Sequence, residues 1–242
     1  MKPPFLSVIL PARNEESRLP RTLERVFAFL EEQSYQSEVI VVENGSTDRT
    51  WQIARKFAGV HKNLRLLREE VPGKGLAVKR GILEAGGKYR FICDADLSMT
   101  IEQLSLFLPP ACDCDIAIAS REAPGAVRHG EPYYRHLTGR VFNTLIRLLV
   151  LPGLQDTQCG FKCFRAPVAE DVFRFQTLTG WAFDVEILAI AQHHGHQVLE
   201  IPIHWYYEEK SKVSILRDSW RMLLDLLVIR GNMRLGRYDS SP

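Results

Sequence analysis

The stretch Phe5-Leu-Ser-Val-Ile-Leu-Pro-Ala-Arg-Asn-Glu15 runs without a break from an apolar segment into a polar turn. A short continuous apolar run bounded by turn residues reads as a strand buried on both faces, here Phe5–Pro11. The pattern repeats along the first hundred residues. Glu38–Val42 leads into Glu43-Asn-Gly-Ser-Thr-Asp48, Leu64–Leu67 is a shorter strand, and Tyr89–Cys93 leads into Asp94-Ala-Asp96. Helical periodicity fills the gaps at Leu19–Glu32, Thr50–Phe57 and Leu76–Ala85. Ser46, Thr47 and Asp48 are candidate N-caps of the second helix, and Gly86-Gly87 ends the third. This alternation predicts an α/β fold with a mostly parallel sheet covered by helices on both faces. In such sheets ligands bind beyond the carboxyl ends of the strands, where the strand order reverses. Three independent strand ends carry polar clusters, so one rim is expected to hold the site.

Further on, Ile116–Ala119 reads as a strand and 121–132 as an irregular, arginine-dotted stretch. An apolar helix is expected at about Tyr134–Leu151. Phe161–Phe164 reads as a strand, Phe183–His194 as a helix, and Val198–Trp205 as a strand. A basic amphipathic helix is expected from about Ile215 to Ile229. The expected organisation is one domain over 1–214 followed by that helix and tail over 215–242.

The 242 residues suit one large domain. A hydrophobic share of 45% allows a sizeable core, and a net charge of only +2 argues against a nucleic-acid partner. No stretch approaches the roughly 18 uninterrupted apolar residues of a spanning helix. The start has no signal core, so the five cysteines are expected as reduced thiols in a cytosol. Cys112-x-Cys114 and Cys159-x3-Cys163 lack paired zinc-site spacing. His193, His194 and His196 crowd a helix end and are expected to be a satisfied or exposed terminus rather than a metal site.

Asp94 and Asp96 can reach one divalent cation, and oxygen ligands suit Mg²⁺ or Mn²⁺. The bland alternative is a helix cap and a solvated turn. Glu43, ending a strand, can accept hydrogen bonds from a base or ribose. Val71-Pro-Gly-Lys-Gly75 places a lysine and backbone N–H groups at a helix start, which suits a diphosphate. Residues 121–147 hold Arg121, Arg128, Arg135, Arg140 and Arg147 against Glu122 and Glu131. A solvated helix face explains Arg140 and Arg147, but Arg121 directly follows a strand end, where its fork fits a phosphate. Between 210 and 237 seven basic residues, Lys212 among them, face Asp218 and Asp225, so that helix either lies on an anionic bilayer or docks on protein. Trp181 and Trp205 read as core or pocket wall.

The order Ser7-Val-Ile-Leu-Pro-Ala-Arg-Asn-Glu15, Val41-Val-Glu-Asn-Gly-Ser-Thr-Asp48, Gly73-Lys-Gly75, Asp94-Ala-Asp-Leu97 and Ser120-Arg121 resembles the family 2 glycosyltransferases of GT-A fold. Asp156-Thr-Gln-Cys-Gly-Phe-Lys162, Trp181-Ala-Phe-Asp-Val-Glu186, Ile201-Pro-Ile-His-Trp205 and Ser211-Lys-Val213 narrow the resemblance to the dolichyl-phosphate glucosyltransferase and mannosyltransferase branch, the glucosyl type being closer. Glu43-Asn44 departs from that family's usual pair of aspartates.

The resemblance implies an inverting, metal-dependent hexosyltransferase. Its donor would be a nucleotide sugar, its acceptor a polyprenyl phosphate, and its location the cytoplasmic face of a membrane. Pro11, Ala12, Glu15 and Glu43 would line the nucleotide pocket, with Lys74 near the base or diphosphate. Asp94-Ala95-Asp96 would meet donor and metal, Asp96 directly and Asp94 through ribose or water. Arg121 and Arg135 would hold the acceptor phosphate, and Lys212 would close over the donor. Asp156 would serve as a base or orient an arginine, because a phosphate acceptor is already mostly ionised at neutral pH. A soluble sugar or polysaccharide acceptor is the rival enzymatic reading, and a non-catalytic nucleotide-sugar-binding protein the rival from another class.

Overall fold

The computed structural model describes residues 3–207 and 215–239, the side chains of 215–220 excepted. Lys212, Lys210 and the Ser211–Val213 motif lie outside the described residues.

Four strands from the first half, β1 (Leu6–Ala12), β2 (Ser37–Asn44), β3 (Leu64–Glu69) and β4 (Tyr89–Ile92), pair in parallel. With β5 (Ile116–Ser120), β7 (Lys162–Arg165) and β8 (Val198–Pro202) they form one seven-stranded sheet of order β3-β2-β1-β4-β7-β5-β8. The chain winds outward from β1 to β3 and then crosses to the far side of β1. The reversal therefore lies between β1 and β4, where the rim residues were expected to meet. Only β7 runs antiparallel within this sheet, between β4 and β5.

Valine, isoleucine and leucine fill the central strands because both faces are covered. On one face α1 (Leu19–Glu31), α2 (Thr50–Ala58) and a short 3-10 helix (Ile101–Phe107) enclose Val8, Leu10, Val39, Phe91 and Phe161. On the other, α3 (Lys74–Glu84), α4 (Tyr133–Leu149), α5 (Ala166–Phe175), α6 (Phe183–His193) and α7 (Ile215–Arg234) enclose Ile9, Ile40, Ile118, Phe164 and Phe183. Asp48 ties off the start of α2, its Oδ1 accepting the Thr50 N–H at 2.9 Å.

The sequence reading differs from the structure in several places, the 3-10 helix at Ile101–Phe107 among them. Helix α5 was not anticipated, because Pro167 at its first turn follows directly on the β7 pattern. The stretch expected as one strand from Val198 to Trp205 is two, β8 and β9 (His204–Tyr206). Ile203 turns between them, its carbonyl accepting the Val127 N–H, and β9 pairs in parallel with β6 (Val127–His129) in a separate two-stranded sheet. The arginine-dotted stretch thus contains a strand. Helix α7 docks on α4 and α6, with Leu226 and Ile229 in the core, while Leu224, Leu227 and Val228 remain exposed.

Helix α3 crosses the sheet closely at Gly81, where an added Cβ would meet Ile9 Cγ2 at 2.5 Å and Val42 Cγ2 at 3.0 Å. Helix propensity alone favours alanine by about 1 kcal/mol, but overpacking a tight core costs roughly 1–3 kcal/mol. Gly81→Ala is therefore expected to lower the urea midpoint, with a net loss of about 1 kcal/mol.

Candidate active site

The carboxyl ends of β1, β2 and β4 and the segment after β5 open on one cleft of about 860 Å³. Pro11, Ala12, Glu15, Asn44, Lys74, Asp94, Ala95, Asp96, Arg121, Arg135, Trp181 and Trp205 lie on its wall. A second hollow of about 920 Å³ lies at the amino ends of β1–β3, among Phe27, Tyr35, His61 and Arg65. Its Glu38 is already engaged by Ser7 and Arg65, and the hollow lies at the end of the sheet opposite to Asp94, Asp96 and Arg121.

The turns after β1 and β2 are stitched together. Asn14, at φ +52°, accepts the Thr47 N–H at 2.8 Å, and the Glu15 N–H reaches Thr50 Oγ1 at 2.8 Å. Glu15 also pairs with Arg18 at 2.7 Å.

The place expected of Glu43 in the pocket wall is taken by Asn44. Glu43 is buried and turned back into its own turn, where Oε1 accepts the Ser46 N–H. Its Oε2 has Arg68 Nε at 3.3 Å but no aligned donor. Asn44 holds the following loop from both sides. Its Oδ1 accepts the Gly73 N–H at 2.7 Å, and its Nδ2 donates to the Val71 carbonyl at 2.7 Å. An aspartate could make only the first of these bonds.

That loop corrects another expectation. The Gly73 N–H is spent on Asn44, and the Gly75 N–H donates to the Thr179 carbonyl at 2.9 Å. Neither is open to a diphosphate. The glycines serve packing instead, since a Cβ at Gly73 would meet Thr179 O at 2.6 Å and one at Gly75 would meet Leu178 O at 2.7 Å. Lys74 faces the cleft, its Nζ 2.8 Å from Asp94 Oδ1 and 5.4 Å from the centre of the Trp181 ring. Burial works to lower its pKa, but Asp94, then Asp184 and Asp96, more than offset this and raise it well above the ordinary lysine value.

Asp94 and Asp96 flank the buried Ala95, whose carbonyl accepts from Thr22 Oγ1 at 2.7 Å. Asp96 Oδ1 accepts the Ser98 N–H at 3.0 Å. With Asp94 engaged by Lys74, Asp96 is the better direct ligand, and an all-oxygen pair fits a hard cation whose remaining ligands are phosphate oxygens or water. Gly160 presses on Asp94 from the amino end of β7, where a Cβ would stand 2.0 Å from Asp94 Oδ2.

Arg121 and Asp156 form a fork. Asp156 Oδ2 accepts the Arg121 backbone N–H at 2.9 Å and Nε at 2.7 Å, and Oδ1 accepts Nη2 at 2.9 Å. Asp156 is fully buried, and its own N–H donates to Glu200 at 2.9 Å. Burial would raise its pKa, but Arg121 outweighs burial and lowers it. The Arg121 guanidinium lies 5.4 Å from the Trp205 ring centre. Arg128 is held by Glu122 and Glu131, both at 2.6 Å. Arg135 donates to the Tyr207 hydroxyl at 2.7 Å and has no carboxylate partner among the described residues.

Sequence reasoning overlooked Lys162 and Asp184, although both stood inside quoted motifs. Lys162 is fully buried, with Nζ 2.6 Å from Asp184 Oδ1 and donating to the Cys159 carbonyl at 2.6 Å. The signal was a lysine inside the apolar run Phe161-Lys-Cys-Phe164, which demands a buried partner.

With this geometry in view, the comparisons with known proteins agree. Residues 7–173 match the model of glycosyl transferase family 2. The chain belongs to that family. It is 33% identical to the dolichyl-phosphate beta-glucosyltransferase of Dictyostelium discoideum, over 96% of this chain and 76% of the relative. It is 34% identical to the enzyme of the same name from Homo sapiens, over 93% and 74%. Among solved structures, glucosyl-3-phosphoglycerate synthase from Mycobacterium tuberculosis in complex with UDP superposes with a TM-score of 0.71 at 19% identity, covering 94% of this chain and 80% of that one. The same enzyme with Mn²⁺, UDP-glucose and phosphoglyceric acid gives 0.69 at 18% identity, covering 94% and 80%. The GT-A fold that the resemblance implied is the fold of those neighbours, and it carries the mostly parallel sheet expected from the strand pattern.

Gly160→Ala tests the contact that aims Asp94. Turnover is expected to fall at least about tenfold, ~1.4 kcal/mol, with an unchanged far-ultraviolet circular dichroism spectrum. Wild-type turnover would remove Gly160 from any role in the site.

Proposed function

We propose that this chain transfers glucose from UDP-glucose to a polyprenyl phosphate, with inversion, at a membrane surface. The observation that carries the reading is the make-up of the cleft at the carboxyl ends of the strands. Lys74 opens α3, Asp94 and Asp96 stand beyond β4, and Arg121 stands beyond β5. Only β7 separates those strands, so the two groups are about two strand spacings apart, roughly 10 Å. A donor diphosphate with its cation suits the first group and an acceptor phosphate the second. The relatives named above support the sugar and the lipid.

In this reading Pro11, Ala12, Glu15 and Asn44 bound the nucleotide pocket, and Lys74 holds the diphosphate. Asp96 ligates a Mg²⁺ or Mn²⁺ ion and Asp94 supports it. When bound, the ion neutralises charge on the departing nucleotide. Arg135 and Arg121 hold the acceptor phosphate, with the Trp205 face beneath Arg121. A phosphate oxygen attacks the anomeric carbon as the bond from that carbon to the diphosphate oxygen breaks, and the nucleotide leaves with its electron pair. No proton need be removed from an acceptor already ionised. Asp156 is therefore a positioning residue, since both its oxygens are occupied by Arg121. Lys212 remains a candidate for closing over the donor.

The membrane part of the proposal is supported by α4. Arg135, Thr138, Gly139, Phe142 and Asn143 face the cleft. Tyr133, Leu137, Val141, Leu145 and Leu148, spaced by four and three along the helix, are exposed and form an apolar stripe on another face. Among the described residues no helix is long and apolar enough to cross a membrane. A surface helix with one apolar face rests on a bilayer by burying that face.

Asp96→Ala is expected to cut turnover by at least about a hundredfold, comparable to removing one electrostatic contact to a developing charge. EDTA should abolish activity reversibly, and full activity in EDTA would remove the metal. Calorimetric titration in Mn²⁺ is expected to favour UDP over GDP by at least about tenfold, with equal affinities refuting the donor. In vesicle flotation the protein should rise with anionic vesicles and Leu145→Asp/Leu148→Asp should not. Label from the sugar should enter the organic phase, and label confined to the aqueous phase would establish a soluble acceptor instead.

A further inference from the structure

Asp171, His194 and His196 bring three ligand atoms within 4.8 Å of one another, and neither donor nor acceptor chemistry uses them. Asp171 comes from α5. The two histidines flank Gly195, whose φ of +80° turns the chain at the end of α6. The turn is closed by the His194 N–H on Ile190 O and the His196 N–H on Ala191 O, both at 2.9 Å. It presents both rings to the same carboxylate, with Asp171 Oδ2 2.6 Å from His194 Nδ1 and 2.9 Å from His196 Nε2.

The surroundings of His194 decide what belongs there. Its Nε2 lies 2.5 Å from the Tyr238 carbonyl oxygen. A carbonyl only accepts, so Nε2 carries a proton. A carboxylate also only accepts. Nδ1 of the nearly buried ring therefore faces an acceptor, and a metal ion shared between the two satisfies both. Nδ1 becomes a lone-pair ligand while Nε2–H stays on the carbonyl, the arrangement that orients metal-ligating histidines. Asp171 is prepared in the same way, because its Oδ1 accepts Arg174 Nη2 at 3.0 Å and leaves Oδ2 facing the rings. Sequence reading had only three histidines at a helix end. The long-range partner Asp171 changes their meaning.

We propose that Asp171 Oδ2, His194 Nδ1 and His196 Nε2 bind one divalent first-row transition-metal ion, Zn²⁺ foremost, with water completing the shell. Two imidazoles and one carboxylate suit such an ion better than Mg²⁺. Ligand atoms about 2.0–2.1 Å from a tetrahedral ion stand roughly 3.3 Å apart, so the present contacts need open by less than about 1 Å. The site ties three segments together. Tyr238, whose carbonyl holds His194, donates its hydroxyl to the buried Glu186 at 2.8 Å, and Asp239 pairs with His193 at 2.7 Å. The ion therefore anchors the segment after α7 to α5 and α6, well away from the cleft and independently of the donor and acceptor assignments.

Cobalt spectroscopy tests this. The metal-free full chain is titrated with Co²⁺ near neutral pH, and one equivalent is expected to give the visible d–d bands of a low-coordinate nitrogen–oxygen site. Zn²⁺ should bleach them stoichiometrically and raise Tm by roughly 5–10 °C at about a hundred times its Kd. Asp171→Asn and His196→Ala should each abolish the bands, and His196→Gln, which retains a polar contact with Asp171, should do so without loss of fold. Asp96→Asn should leave them intact, separating this site from the carboxylate pair in the cleft. Wild type without bands, bands that survive both Asp171→Asn and His196→Ala, or bands lost in Asp96→Asn would each overturn the proposal.

Discussion

A lysine without solvent contact cannot stay charged unless a carboxylate meets it, and Lys162 at the centre of the sheet makes that demand on everything around it. Its partner Asp184 is the second residue of α6, so the ion pair at 2.6 Å fixes where that helix begins. Burial raises the Asp184 pKa, while Lys162 and then Lys74 work against that rise. Lys74 in turn holds Asp94. The alternation of charge therefore runs from β7 through α6 and α3 to the end of β4. Each member is partly desolvated and loses its compensation if a neighbour is removed. The rim is thus held by electrostatics that originate in the core rather than by the flexibility of its loops.

The strand ends were legible in sequence because a buried parallel strand and the polar turn after it are both local patterns. Asp94 and Asp96 after Tyr89–Ile92, and Arg121 after Ile116–Ser120, needed no knowledge of distant partners. What stayed hidden was long-range. Whether the Gly73 N–H is free or spent depends on Asn44, twenty-nine positions away. Whether Asp156 has a free oxygen depends on Arg121, thirty-five positions away. Gly160 reads as an ordinary glycine until β7 brings it against Asp94. Asp171 gave no sign at all, because a carboxylate on an exposed helix face looks the same with or without two histidines above it.

The departure at Glu43-Asn44 also has a physical account. The amide at 44 binds both a carbonyl and an N–H of the loop that carries Lys74, a task an aspartate would do by half. The carboxylate that remains, at 43, closes the turn through Ser46.

Antiparallel β7 divides the sheet into two workshops. On one side, β1 to β4 carry the carboxylate and lysine end of the cleft; on the other, β5, β8 and the small β6–β9 sheet carry the arginine and tryptophan end. The two meet through β7 and also directly, where the Tyr206 N–H donates to the Ser98 carbonyl and the His204 N–H to Gln103 Oε1, both at 2.7 Å. Substitutions that reshape one end therefore reach the other by two routes, the stretch from Asp156 to Lys162 and the bonds that join Ser98 and Gln103 to β9.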